Sequence, residues 1–236
     1  MNRKALLWLA MLAALAVLVA YQTVSAAGHR SHDFVAQAGL PTVRPGTDVL
    51  AEITVVGDRS RRHDYRRSAF GDAWDDDNDA PGGHNGCDTR DDILNRDLTD
   101  VTHVSTKRCP AAVATGTLHD PYTNATIAFT RGAKVGEAVQ IDHIVPLAYA
   151  WDMGASGWPY PKRLRFANDP ANLLAVAGQA NQDKGDAQPG LWMPPNTAFA
   201  CQYATAYLAV LRGYQLRLDQ PSADTLRRAA ATCPAG

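Results

Sequence analysis

Four cysteines, Cys87, Cys109, Cys201 and Cys233, constrain this chain more than any other feature. Their number is even, and none stands in the C-x-x-C pair that a zinc knuckle or a thioredoxin-like site uses. In an oxidising compartment such residues form two disulfides. Four cysteines allow three pairings; the local one, Cys87–Cys109 with Cys201–Cys233, is the simplest, because each bond closes a loop within one region. The N-terminus suits that compartment. Arg3 and Lys4 precede an apolar run from Ala5 to Ala20, and Val24-Ser25-Ala26-Ala27 follows as a small-residue site. This is the order of a secretory signal peptide cleaved after Ala26 or Ala27. The run is shorter than the roughly 20 residues that span a bilayer, and no later segment is apolar enough to cross one. The expectation is a secreted protein without membrane contact after cleavage of residues 1–26.

Bulk charge excludes one class of partner contact. Removing Arg3 and Lys4 leaves 21 lysines and arginines against 24 aspartates and glutamates, so the mature chain sits near −3. A protein that grips nucleic acid by overall charge is basic. Any polyanion contact must come from local patches. Arg59, Arg61, Arg62, Arg66 and Arg67 form one cluster, and Lys162, Arg163 and Arg165 another; solvated helix faces are the simpler reading of both.

Along the chain, residues 27–47 lack periodicity and read as a linker. Val49 to Val56 is a candidate first strand. The run Asp75-Asp76-Asp77-Asn78-Asp79 invites a calcium-loop reading, but Ala80 holds the sharp-turn position and Gly86 the twelfth, so it reads as a solvated acidic loop. Asp88 to Leu98 is helical in pattern. Val101–Val104, Ala111–Leu118 and Thr126–Thr130 alternate as short strands, with a turn at Asp120-Pro121-Tyr122. Val139–Val145 and Asn172–Val176 are further strands. Ala148–Met153 and Lys162–Ala167 are short helices, and a helical turn starts near Gln179. Apolar residues recur at helical spacing over Ala198–Leu211 and Ala223–Ala231. The whole reads as one α+β domain over 48–236, its catalytic core at about 138–196.

The densest chemistry lies between Gln140 and Asp186. Asp142-His143-Ile144-Val145-Pro146 sets a carboxylate beside an imidazole at the end of a strand. Neighbouring strand residues point to opposite faces, so both can serve one site only where the strand ends, and Pro146 supplies that end. Downstream come Asn172-Leu173-Leu174 and Asn181-Gln-Asp183-Lys184-Gly185-Asp186. A divalent metal on hard oxygen ligands, a neutral histidine as base, an orienting amide and a lysine for the phosphate together suit phosphodiester hydrolysis.

These three elements resemble the HNH pattern of ββα-metal nucleases. The wider run is similar to secreted bacterial HNH nucleases related to the C-terminal domain of GmrSD-type restriction enzymes. The residues that carry this are Cys87-Asp-Thr-Arg90, Asp120-Pro-Tyr122, Ala155-Ser-Gly-Trp158, Phe166 to Val176, the Asn-x-x-Lys-Gly-Asp element and Trp192-x-Pro-Pro-Asn196. The resemblance spans roughly residues 60 to 205.

It implies a ββα-metal (HNH, His-Me finger) core with helical insertions and flanking helices. His143 is the implied general base and Asp142 the metal-binding carboxylate. Asn172 holds the hairpin and helps orient the histidine. Asn181 is a metal ligand, with a helix N-cap as its rival role, and Lys184 contacts phosphate. The long connection Leu147–Ala171 departs from the smallest HNH modules; its Lys162, Arg163 and Arg165 are candidates to line a substrate groove. Arg90 is a candidate phosphate contact, with a structural ion pair as the alternative. Trp151, Trp158 and Trp192 are candidates to stack on bases, and core packing is the alternative. The implied cofactor is one divalent metal, Mg²⁺ first, with Mn²⁺ or Ca²⁺ as alternatives; the implied partner is nucleic acid, DNA first and RNA second, with no protein partner. A phosphodiesterase acting on another polyanion and a non-catalytic binding module are the competing functions.

Overall fold

The computed structural model describes residues 41–132 and 137–235. The expected signal peptide and the linker up to residue 40 lie outside the described residues. From Pro41 onward, part of the expected linker is docked instead: Val43 N donates to Pro234 O at 3.0 Å, and Leu50 is buried. The candidate strand Val49–Val56 shrinks to β1 (Val55–Val56), because it finds a partner only there.

The chain continues through α1 (Thr89–Asp97), β2 (Leu98–Val104), β3 (Ala112–His119), β4 (Thr126–Thr130) and β5 (Val139–His143). After these come α2 (Leu147–Met153), α3 (Tyr160–Asn168), β6 (Leu173–Ala177), α4 (Gly178–Lys184), α5 (Ala200–Tyr214), β7 (Leu218–Asp219) and α6 (Gln220–Ala230). Local chemistry explains the helix starts. Asp88 caps α1 by accepting from Asp91 N, with Asp91 and Asp92 in the first turn. Asp219 caps α6 by accepting from Ser222 N, with Pro221 just inside.

Among the described residues the strands form three small sheets. β2, β3 and β4 make an antiparallel meander, β5 and β6 an antiparallel pair, and β1 runs parallel to β7. The β5–β6 pair sits between two apolar clusters. Val139, Ile141, Leu173 and Ala175 join Ile93 and Leu94 of α1 and Leu118 and Phe129 of the meander. Ile144, Val145 and Val176 join the larger cluster built on α2, α3, α5 and α6. Period-two alternation then turns Gln140 and Asp142 toward α4, where they meet Asn181 and Lys184.

α4 follows β6 with no intervening loop, and Gly178 is what allows this. A Cβ there would collide with the carbonyl of Glu137, while Gly178 N donates to Ala138 O at 2.9 Å. The disulfides join Cys87 to Cys109 and Cys201 to Cys233, closing separations of 22 and 32 residues. The first ties the chain ahead of α1 to the β2–β3 connection; the second ties the start of α5 to the chain beyond α6. Loops of this size stabilise by about 3 kcal/mol each in the chain-entropy account.

Gly178→Ala must push α4 away from the start of β5. The expected result is a loss of about 1–3 kcal/mol in urea unfolding; an unchanged midpoint would show that the strand-to-helix junction has slack.

Candidate active site

His143 is the last residue of β5, and the residue is 7% exposed. Nε2 lies 2.9 Å from Ala167 O, at the end of α3. A carbonyl can only accept, so Nε2 carries the proton and donates. In the neutral ring that leaves the lone pair on Nδ1, which has no hydrogen-bond partner among the described residues and is not a sealed buried atom. Trp74 stacks on the imidazole with ring centres 5.6 Å apart and planes 11° from parallel. Burial pushes the His143 pKa down to about 3, and the charges of Arg67 and Lys184 add to that; the Ala167 carbonyl works the other way. The ring is therefore neutral at physiological pH.

Asp142 faces the opposite side of the strand and is almost completely buried. Its Oδ2 accepts from Tyr122 Oη at 2.5 Å and from Lys184 Nζ at 2.5 Å. Lys184 Nζ also donates to His143 O at 2.7 Å. Burial lowers the Lys184 pKa while Asp142 raises it, and burial raises the Tyr122 hydroxyl well above its ordinary range. Asp142 Oδ1 accepts nothing from a described residue. Asn181, midway along α4, donates Nδ2 to Gln140 Oε1 at 2.8 Å, and its own Oδ1 has no partner among the described residues.

Asn172 is fully buried. Its Oδ1 accepts from Val145 N at 2.8 Å, its Nδ2 donates to Val145 O at 3.3 Å, and its backbone O accepts from Ile144 N at 2.8 Å. It staples the chain just after His143 without touching the imidazole. A pocket of about 430 Å³ opens on this arrangement, lined by Tyr65, Arg67, Asp142, His143, Asn181 and Asp186 among others.

The structure thus brings Asp142, His143 and Asn181 to one pocket at the end of β5, three residues before Pro146 opens α2. Other expected site residues are engaged elsewhere. Lys184 is 1% exposed and spends its ammonium on Asp142 and the His143 carbonyl, so it is not at the surface to receive a phosphate. Asn181 is not an N-cap, because α4 begins at Gly178, three residues earlier. Arg90 donates to Val139 O at 3.0 Å. Lys162 lies over the Trp158 ring and donates to Tyr214 O. Arg163 holds the carbonyls of Ala69 and Trp158, and Arg165 reaches Asp79 O at 3.0 Å; none of these four lines the His143 pocket. Trp151, Trp158 and Trp192 pack in the larger apolar cluster. In the acidic run, Asp76 turns inward and accepts from the backbone of Asn85 and Gly86.

Sequence reasoning missed Trp74 and Tyr122 as members of the site. Trp74 carried no spacing signal toward His143, 69 positions away. Tyr122 lies in the Asp120-Pro121-Tyr122 element, whose pattern signals only a turn.

The comparisons with known proteins bear on the same residues. A family model described as GmrSD restriction endonucleases, C-terminal domain, matches residues 88–228, more than half of the chain. The chain belongs to this family. A protein of the fungus Arthroderma benhamiae, described as an uncharacterized secreted protein, is 36% identical over 149 residues, 62% of this chain and 68% of that protein. No solved structure matches. Asp142, His143, Asn172, Asn181 and Lys184 all fall inside the family domain, whereas Arg67 and Trp74 precede it.

Lys184→Met tests the buried pair. Removing one partner strands a buried carboxylate, and the expected cost is about 3–5 kcal/mol in urea unfolding without metal. A variant as stable as the parent would place the ammonium in solvent.

Proposed function

We propose that this protein is a secreted endonuclease of the HNH, ββα-metal type that hydrolyses phosphodiester bonds in DNA with a divalent metal. The observation that carries the reading is the imidazole of His143, held by a carbonyl at Nε2 and with no partner at Nδ1 among the described residues, at a pocket that Asp142 and Asn181 also line. The β5–β6 pair followed directly by α4 matches the strand–strand–helix order expected from the HNH resemblance. Two disulfides, the leader-like N-terminus and the secreted fungal relative support export. Among the described residues no helix is long and apolar enough to cross a membrane.

The donor set fits a hard cation. Asp142 Oδ1 and Asn181 Oδ1 are oxygens, both unspent, at one pocket. Among the described residues no cluster of three or more His, Cys, Asp or Glu side chains is placed to hold a metal, so the protein supplies few ligands. Mg²⁺ tolerates such a site, because it keeps several waters and takes phosphate oxygens as ligands. Lys184 neutralises part of the Asp142 charge, so affinity for the ion alone should be modest and substrate should strengthen it. When bound, the metal supplies charge stabilisation for the scissile phosphate and the departing oxygen.

The chain's own residues do the rest. His143 Nδ1 accepts a proton from the attacking water. The Ala167 carbonyl at Nε2 stabilises the imidazolium that forms, as an orienting partner does in other histidine bases. Asn172 fixes the backbone directly after His143, and Trp74 holds the ring plane. Asp142 keeps one oxygen for the pocket because Tyr122 and Lys184 occupy the other.

The test is plasmid cleavage by the mature, oxidised protein in Mg²⁺ or Mn²⁺ and in EDTA, beside His143→Ala. Cleavage should require the metal and fall about 100-fold or more in the variant, with the fold intact by circular dichroism. Cleavage that survives EDTA or the substitution would contradict the reading.

A further inference from the structure

The five arginines between residues 59 and 67 separate sharply in the structure. Arg59 is buried and pairs with Asp152 at 2.7 Å, with Asp186 also in reach. Arg61 pairs with Asp186 at 2.6 Å and Arg62 with Asp64 at 2.6 Å. Arg66 donates to the carbonyls of His63 and Tyr65. Arg67 alone of the five makes no hydrogen bond or ion pair to a described residue. It is exposed, and it lines both the 430 Å³ pocket and the narrow cleft between His143 and Trp74.

The backbone that presents Arg67 is fixed on both sides. Before it, Trp151 Nε1 donates to Asp64 Oδ1 at 2.9 Å, and Tyr65 packs edge-on against Trp151. After it, Arg163 Nε holds Ala69 O at 2.8 Å, and Phe70 is buried against Trp151 and Phe166. Thr89 N then donates to Trp74 O at 3.2 Å, pinning the far end. With the backbone already anchored, binding an anion orders only the Arg67 side chain, and its planar fork matches two phosphate oxygens. The basic residues of the family domain named above are tied to carbonyls, and the mature chain is acidic overall, so this cation carries weight.

We propose that Arg67 is the phosphate-contacting residue of the active site, so that the segment 59–74, which precedes the family domain, completes the substrate-binding surface. This rests on the nuclease reading and names the group by which the site recognises a polynucleotide backbone.

The experiment uses the mature, oxidised chain carrying His143→Ala, so that a fluorescein-labelled oligonucleotide duplex is bound in Mg²⁺ without turnover. Anisotropy titrations across a salt series compare this parent with Arg67→Ala, Arg67→Lys and Arg227→Ala, the last a distant surface control on α6. Arg67→Ala should weaken binding about tenfold or more and flatten the slope of log K against log salt by about 0.9, the loss of one phosphate contact on a duplex. Arg67→Lys should recover the slope, and Arg227→Ala should match the parent. In the His143 background, kcat/KM for cleavage should fall with Arg67→Ala. A structural role for Arg67 would not move the salt slope. A parent that binds, with Arg67→Ala equal in affinity and slope, overturns this assignment and leaves the nuclease reading standing. An intact protein that neither binds nor cleaves nucleic acid overturns both.

Discussion

A buried ion pair organises the site. Lys184 Nζ meets Asp142 Oδ2 with almost no exposure on either side, and both groups have further partners, Tyr122 Oη on the carboxylate and the His143 carbonyl on the ammonium. Through these bonds α4, the end of β5 and the Asp120–Tyr122 turn share one electrostatic knot. Two charges taken out of water require this degree of pairing to be tolerated at all. The consequence for chemistry is selective: one carboxylate oxygen is consumed, the other has no partner among the described residues, and the next residue along the strand is held from its carbonyl.

His143 depends on that knot and on Asn172 for its backbone, and on two further contacts for its ring. Asn172 clamps Val145 from both sides of the peptide, the Ala167 carbonyl fixes the tautomer, and Trp74 covers one face. These come from a 3-10 turn, the end of a helix and a loop far upstream, so no single element contains the site. The aromatic cluster of Tyr65, Phe70, Trp151 and Phe166 holds the upstream segment in place, and through it the larger core supports the pocket.

Much of the architecture was legible in the residues. Strand alternation, caps and helical spacing located α1, the meander, the β5–β6 pair and α4–α6 to within a few positions, because each has a local signal. The strand-ending proline after Asp142-His143 announced a place where two adjacent side chains can share a site. What sequence could not show was how each polar group is spent. Lys184 looks like a phosphate ligand until its burial is known, and Lys162, Arg163 and Arg165 look like a groove until their carbonyl partners are. Conversely, Arg67 is indistinguishable from its four neighbours in sequence, and Trp74 has no spacing that points to His143. Both join the site only through long-range packing.

The chemistry of the site turns on His143 being a neutral imidazole with its proton on Nε2 and its lone pair on Nδ1. Nitrogen-15 NMR of the His143 ring, followed from pH 8 to pH 4 in the metal-free protein, tests it directly. The expected result is the Nε2–H tautomer throughout most of that range and no titration near the ordinary histidine value of about 6.5, since burial pushes the pKa down to about 3. A ring that protonates near pH 6.5, or one that carries its proton on Nδ1, would contradict it.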